Sequence, residues 1–322
     1  MISNRDYSLD AVCGLMIIYM IYGHICLWSG VEQIELFPRL LFFFMPWFFF
    51  KSGMFFREKP FKKEFVNGVK KLIVPYIVFS IIGQLVFYLM WIAKGETSCQ
   101  LYILAPLRTL LHEGAVVGNS PLWFLLSLFC VKIIFDEIYV KFHNLGGGYL
   151  LVLFAGLSAY LLRYIEFNNY FYIANICCGV FFYGCGYVLR KYVDKKWVIF
   201  VSFCLYVVYS IIYPSYFDFR SNDVAIDAYP LCLLSCIGGI ITINAIFKKV
   251  KSIQIPFISI GKNSMTYYTA HWAVLGVSSL LFQNIMHLKG YELFVAFSLA
   301  NIVMLPLLDI FFNKHCKWMI GK

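Results

Sequence analysis

Asp10, Cys13 and His24 interrupt an apolar run, Leu9 to Trp28, that is long enough to cross a bilayer. A charge at the centre of a spanning helix costs about 2.5–3.5 kcal/mol on insertion scales, so a titratable side chain there is a functional candidate by default. At about 100° per residue, the step from Cys13 to His24 returns to nearly the same azimuth, about three turns and 16 Å further along the helix. Asp10 falls near that stripe, whereas the opposite face (Leu15, Ile18, Tyr22) carries no such group. A neutral imidazole can take the proton of an attacking hydroxyl, worth about 10²–10⁴-fold in rate, or can act as a nucleophile. The alternative for His24 is an interhelical hydrogen bond.

A second polar face lies late in the chain. His271 shares it with Ser264 and with Tyr267 or Tyr268, at spacings of seven, four and three residues. That set is suited to orienting a substrate or donating a hydrogen bond to a developing oxyanion, or equally to joining helices. Lys51 and Ser52 stand near the end of a second apolar run, and Arg39 near its start. Arg39 is at a depth similar to His24; it can meet an anionic ligand or snorkel to the interface. Ser52-Gly53 reads as a close helix contact rather than a nucleophile, because no Gly-x-Ser-x-Gly elbow accompanies it. His112, His143, His287 and His315 fall in loops and tails, and no set has metal-ligand spacing, so neither a metal nor a tightly bound cofactor is expected.

The elements that hold these residues are membrane helices. Hydrophobic residues make up 61% of 322 positions and charged residues 14%, with a mean hydropathy of +0.75, which excludes an ordinary soluble core. At about 20 residues per span, the pattern predicts an all-α polytopic protein of about ten helices: 9–28, 37–56, 72–93, 119–140, 147–165, 171–190, 196–214, 227–247, 263–282 and 290–312. Leu101 to Leu111 is too short to span and is expected to lie on, or re-enter, the outer face. The 11 cysteines show no C-x-x-C pairing and read as small hydrophobes.

A net charge of +10 invites a nucleic-acid reading, but its distribution is a topology signal. Taken alternately, one set of loops holds Arg5, the run from Arg57 to Lys71, Lys141, Arg190 to Lys196, Lys248 to Lys262, and Lys314 to Lys322. The other set holds few cations and most of the acids, so both termini are expected in the cytoplasm. The first span has no cleavage pattern and is expected to be retained. With no repeat, low-complexity tract or soluble appendage, residues 1–322 read as one membrane domain, multi-pass in the plasma (inner) membrane and in contact with lipid.

Five short stretches together resemble the acyltransferase-3 family of integral membrane acyltransferases, particularly bacterial members that O-acetylate surface sugars. They are Leu9-Asp10-Ala11-Val12-Cys13-Gly14 with Gly23-His24; Met45-Pro46-Trp47-Phe48-Phe49-Phe50-Lys51-Ser52-Gly53; Val74-Pro75-Tyr76; Pro121-Leu122-Trp123-Phe124-Leu125; and Ile260-Gly261-Lys262-Asn263-Ser264 leading to Tyr268 and His271. The resemblance implies an enzyme that moves an acyl group, acetyl for the bacterial type, from cytoplasmic acetyl-CoA to a hydroxyl of a cell-surface glycan or lipid-linked sugar. It implies His24 and His271 as catalytic residues, with His24 a general base or acyl relay, and a site-lining role for Trp123, otherwise an interfacial anchor. Asp10, Arg39, Ser52 and Tyr268 would support the site. The densest basic cluster is the expected donor-phosphate site: Arg57, Lys62, Lys63, Lys70 and Lys71, with Lys51 deeper. Its alternative role is a topology determinant that binds anionic lipid.

One position departs from the family, which has Arg or Lys where this chain has Cys13. Either activity is compromised or the positive charge comes from elsewhere, and Lys51, at matched depth with Asp10 as counter-ion, is the expected source. Larger members add an extracytoplasmic domain after the last helix; here the chain stops within about ten residues of it. The rival reading is a transporter or glycan exporter, but paired broken helices in internal repeats are not seen. The charge pattern makes a topological prediction: a phosphatase reporter fused after Lys289 is active and one fused after Lys249 is silent. The opposite pattern would invert the assignment.

Overall fold

The computed structural model describes residues 6–142, 146–167, 170–213 and 217–322; Arg5 and His143 lie outside them. The protein is 82% helical, and among the described residues no strand forms, in accord with the all-α expectation. The first helix, α1 (Tyr7–Ser29), starts where Asp6 Oδ1 accepts the Ser8 N–H at 2.9 Å and ends at Gly30, whose φ of 69° closes the last turn. Asp10 and Cys13 on its polar stripe are buried, while Leu15 and Tyr22 are half-buried and Ile18 is exposed.

The second apolar run is not one helix. It divides into α2 (Leu36–Leu41) and α3 (Phe44–Met54). Pro46 has no N–H to offer the Phe42 carbonyl, so the chain turns at Phe42 and Phe43 and restarts, with the Trp47 N–H reaching Phe43 O at 3.0 Å. The third run extends further back than its hydropathy suggests. Helix α4 (Phe61–Gly68), a π turn (Val69–Ile73) and α5 (Val74–Ala93) form one rod, so the cations from Lys62 to Lys71 ride on helix rather than on a loop. The π turn falls where Pro75 cannot donate to the Lys71 carbonyl.

The short segment becomes a π turn (Gln100–Leu104) and α6 (Ala105–Glu113), followed by a 3-10 turn (Val117–Leu122) that leads into α7 (Trp123–Phe142). Next come α8 (Gly147–Tyr164), α9 (Phe171–Leu189), α10 (Lys196–Ile212) and α11 (Tyr229–Lys249). A helix outside the expected set, α12 (Ile255–Lys262), precedes α13 (Ser264–Ser279), with a break at Asn263; α14 (Gly290–His315) follows. Among the described residues, five stretches are long and apolar enough to cross a membrane: Tyr7–Ser29, Phe61–Ala93, Tyr172–Leu189, Tyr229–Lys249 and Gly290–His315. Helices α8 and α10 are shorter apolar helices, and all eleven cysteines are free thiols.

Glycines set the closest helix contacts. A Cβ on Gly14 would run into the Phe257 carbonyl, and one on Gly261 into the Asp10 carbonyl, so α1 and α12 touch backbone to backbone. Gly53 and Gly186 do the same for α3 and α9, against the carbonyls of Tyr183 and Phe50. This accounts for the glycine of the Ser52-Gly53 pair. Gly261→Val should force α1 and α12 apart at an overpacking cost of about 1–3 kcal/mol. The expected readout is a melting temperature in detergent several degrees below that of the wild type, with Leu157→Ala on the exposed face of α8 as the control.

Candidate functional site

The contact between α1 and α12 continues upward into α13 and brings the two histidines together. His24 Nδ1 lies 2.8 Å from His271 Nε2, and the rings are nearly parallel, 8° apart. His271 is fully buried, and its Nδ1 sits 2.7 Å from the Tyr268 carbonyl one turn earlier. A carbonyl only accepts, so His271 Nδ1 carries the proton and Nε2 of the neutral ring holds a lone pair. His24 Nδ1 must then donate to it. One lone pair remains on the neutral pair, at His24 Nε2.

Two adjoining cavities lie nearby, and His24 lines the larger of them. The first, about 550 Å³, is bordered by His24, Trp123, Asp218, Arg220, Tyr268 and Trp272 among others. The second, about 390 Å³, is bordered by Cys13, Lys51, Ser52 and Ser264 and by four further cations, Arg57, Lys59, Lys71 and Lys132, with a single carboxylate, Glu64. Met20, Met45 and Tyr268 border both, so these three side chains form the partition. Tyr268 is held in that partition by its hydroxyl, which donates to the Pro121 carbonyl. Pro121 in turn belongs to the 3-10 turn, fixed by Asn119 Nδ2 donating to Thr269 O at 3.0 Å and by the Gly118 N–H donating to Gln84 Oε1 at 3.1 Å.

The other expected site residues divide accordingly. Lys51, Arg57 and Lys71 border the basic cavity, whereas Lys62, Lys63 and Lys70 do not. Lys51 Nζ lies 3.5 Å from Leu9 O and 4.9 Å above the centre of the Trp47 ring. Ser52 donates back to Phe48 O at 2.8 Å, a local helix bond. Asp10 is buried against the α12 backbone. Arg39 pairs with Glu35 at 2.7 Å on the surface, with side chains 45% and 80% exposed, and borders neither cavity. Trp123 is buried and stacks on Phe219 with ring centres 6.1 Å apart. His112 stacks on Tyr170 and His315 packs on Phe311, both away from the histidine pair.

Several residues of the site escape a sequence reading. Glu64 is bonded by Lys59 at 2.8 Å and by Lys132 at 2.7 Å, which draws a lysine of α7 into the basic cavity. Arg220 and Asp218 come from the loop before α11, and only the aromatic neighbours Phe217 and Phe219 mark that loop. Trp272 packs edge-on to His24, 5.1 Å between ring centres, and its buried indole N–H has no acceptor among the described residues.

A helical bundle with apolar, membrane-length helices, in which a paired histidine lines one of two adjoining cavities, is the framework of a membrane enzyme. The chain belongs to the acyltransferase-3 family: a family model described as an acyltransferase domain matches residues 6–312, nearly the whole length. No curated protein and no solved structure matches it.

Tyr268→Phe would remove the hydroxyl's bond to the Pro121 carbonyl, which keeps the Trp123 N–H as a donor, at a cost of about 0.5–1.5 kcal/mol. A melting temperature lowered by a few degrees in detergent is expected. An unchanged one would remove Tyr268 as the tie between the partition and the 3-10 turn.

Proposed function

We propose that the protein is a single-domain, multi-pass O-acetyltransferase of the plasma (inner) membrane, with about ten spans and cytoplasmic termini. It moves acetyl from cytoplasmic acetyl-CoA to a hydroxyl of a surface glycan or lipid-linked sugar. The observation that carries this reading is the His24–His271 pair, with its one free lone pair at His24 Nε2, where His24 lines a larger, aromatic cavity that Met20, Met45 and Tyr268 separate from a cation-lined one.

The donor enters the basic cavity. Its phosphates meet Arg57, Lys59, Lys71 and Lys132, and Lys51 supplies positive charge beside Cys13. The thioester is carried toward the partition of Met20, Met45 and Tyr268. The acceptor enters the larger cavity, and His24 Nε2 takes the proton of its hydroxyl as the oxygen attacks the thioester carbonyl. His24 is then an imidazolium whose Nδ1–H donates more strongly to His271 Nε2, while the Tyr268 carbonyl keeps His271 in the accepting tautomer. A carbon–oxygen bond forms and the carbon–sulfur bond breaks. The proton held at His24 goes to the departing CoA sulfur, so the products are an O-acetyl sugar and the free thiol.

On this reading His24→Ala lowers transfer by about 10²–10⁴-fold at matched protein level. Lys51→Met raises the KM for acetyl-CoA; an unchanged KM and rate would remove Lys51 from the donor site. The whole reading is tested by mass analysis of surface glycans from cells with the gene deleted and then restored as wild type or as His24→Ala. An acetyl increment that returns only with the wild type supports it. Loss of whole glycan on deletion would point to an exporter, and full restoration by His24→Ala would overturn the catalytic assignment.

A further inference from the structure

The two cavities differ in charge as much as in position. Five cations and one carboxylate border the basic cavity, whereas the cavity holding His24 has one of each, Arg220 and Asp218. Neither of these is a loose surface charge. Arg220 donates to Glu113 at 2.6 Å, on α6, and to Ser120 Oγ at 3.1 Å, on the 3-10 turn. Asp218 accepts the Arg220 N–H at 3.0 Å and the Ser221 hydroxyl at 2.7 Å, and its backbone pairs with Asp223. The loop is also fixed from outside. Arg163 pairs with Asp223 at 2.8 Å, and Asn222 donates to the Ala159 carbonyl at 2.8 Å, both tying it to α8. Both charged groups therefore reach the cavity wall on a pre-formed loop, with no ordering left to be done when a ligand arrives.

Aromatic side chains make up much of the remaining wall: Tyr19, Trp123, Phe217, Phe219 and, edge-on to His24, Trp272. A sugar ring offers such a surface its C–H faces, and offers its hydroxyl edge to groups that both accept and donate. A carboxylate accepts and a guanidinium donates, so Asp218 and Arg220 together can grip adjacent hydroxyls. An acidic sugar fits poorly. Its carboxylate or phosphate would enter a half-buried site whose one cation is already neutralised by Glu113 and would face Asp218, and an uncompensated charge taken out of water is costly.

We infer that the cavity beside His24 is an acceptor site for an uncharged, hydroxyl-rich sugar ring, gripped at its hydroxyls by Asp218 and Arg220 and packed against the aromatic wall. This rests on the acyltransferase reading above and adds the class of acceptor and the residues that select it. The guanidinium and the carboxylate fix which hydroxyl faces His24 Nε2, so they govern acceptor use and leave donor binding to the basic cavity.

The test uses the full-length protein in cells with the gene deleted, then restored as wild type, Arg220→Gln or Asp218→Asn at matched membrane level. Surface glycans are hydrolysed under conditions that keep the ester, and the monosaccharide that gains acetyl is identified by mass. The expected result is acetyl on a neutral sugar, with occupancy at least tenfold lower for both variants. The KM for acetyl-CoA, measured by release of free thiol in membranes, should stay within twofold of wild type. Gene-dependent acetyl on a uronic, sialic or phosphorylated sugar would overturn this inference while leaving the acyltransferase reading standing, and that result needs no variant to fold. Occupancy within twofold of wild type in both variants would remove Asp218 and Arg220 from acceptor selection. If no acetyl depends on the gene, the acyltransferase reading itself fails.

Discussion

The contact on which the site depends is between backbones, not side chains. Gly14 and Gly261 let α1 and α12 touch, and His24 and His271 meet ten residues further along each chain. Both pairs have the same separation in sequence, 247 residues, so the two segments run parallel and keep their register across the break at Asn263. A slip of one residue in either helix would rotate its histidine by about 100° and break the 2.8 Å contact. The glycine contact therefore does for the histidines what a turn does for a hairpin: it sets the register that distant side chains need. His271 is buried and His24 half-buried in the cavity wall, and the Tyr268 carbonyl at one end decides the tautomer of both rings.

Around that pair, charge is sorted by position. The cations of the basic cavity come from four places: Lys51 from α3, Arg57 and Lys59 from the connection after it, Lys71 from the π turn and Lys132 from α7. Glu64 gathers Lys59 and Lys132 onto one carboxylate, so like charges that would repel are held close together by one shared anion. On the other side of Met20, Met45 and Tyr268 the wall is aromatic and its charges balance. A partition of two flexible thioethers and one anchored phenol separates a cavity bordered by an excess of cations from one whose charges balance.

Much of this was legible in the sequence, for identifiable reasons. Periods of about 20 apolar residues marked nearly every long helix, because hydropathy over that length depends little on tertiary context. The polar stripe of α1 was legible because helical azimuth follows from spacing alone, and Asp10 and Cys13 do face inward. The breaks were harder. Pro46 divides the second run, yet a proline kinks, ends or is tolerated in a membrane helix according to its neighbours, which spacing does not reveal. Helix α12 was hidden behind the charges of Lys251 and Lys262 and is too short for a span. Depth placed His24 and His271 on helices without saying whether they faced each other. Lys132 sat inside an apparent span, and Arg220 in an acidic loop, so neither had a local pattern that pointed to a cavity formed only by long-range packing.

Position 13 shows how such packing changes the meaning of a single residue. In α1 alone, Cys13 is a family position that has lost its charge. In the folded protein it is buried against the same cavity as Lys51, whose stem rises from α3 beside the Trp47 ring. A long basic side chain at 13 would occupy part of that volume, and with Lys51 would bring two ammonium or guanidinium groups together in a space of about 390 Å³ that Arg57, Lys59, Lys71 and Lys132 already border. Like charges at such range in a poorly screened interior repel by several kcal/mol at an effective dielectric near 20. A small thiol at 13 and a lysine at 51 are therefore mutually consistent choices. The charge of the cavity is a property of the helices assembled around it, not of the first helix.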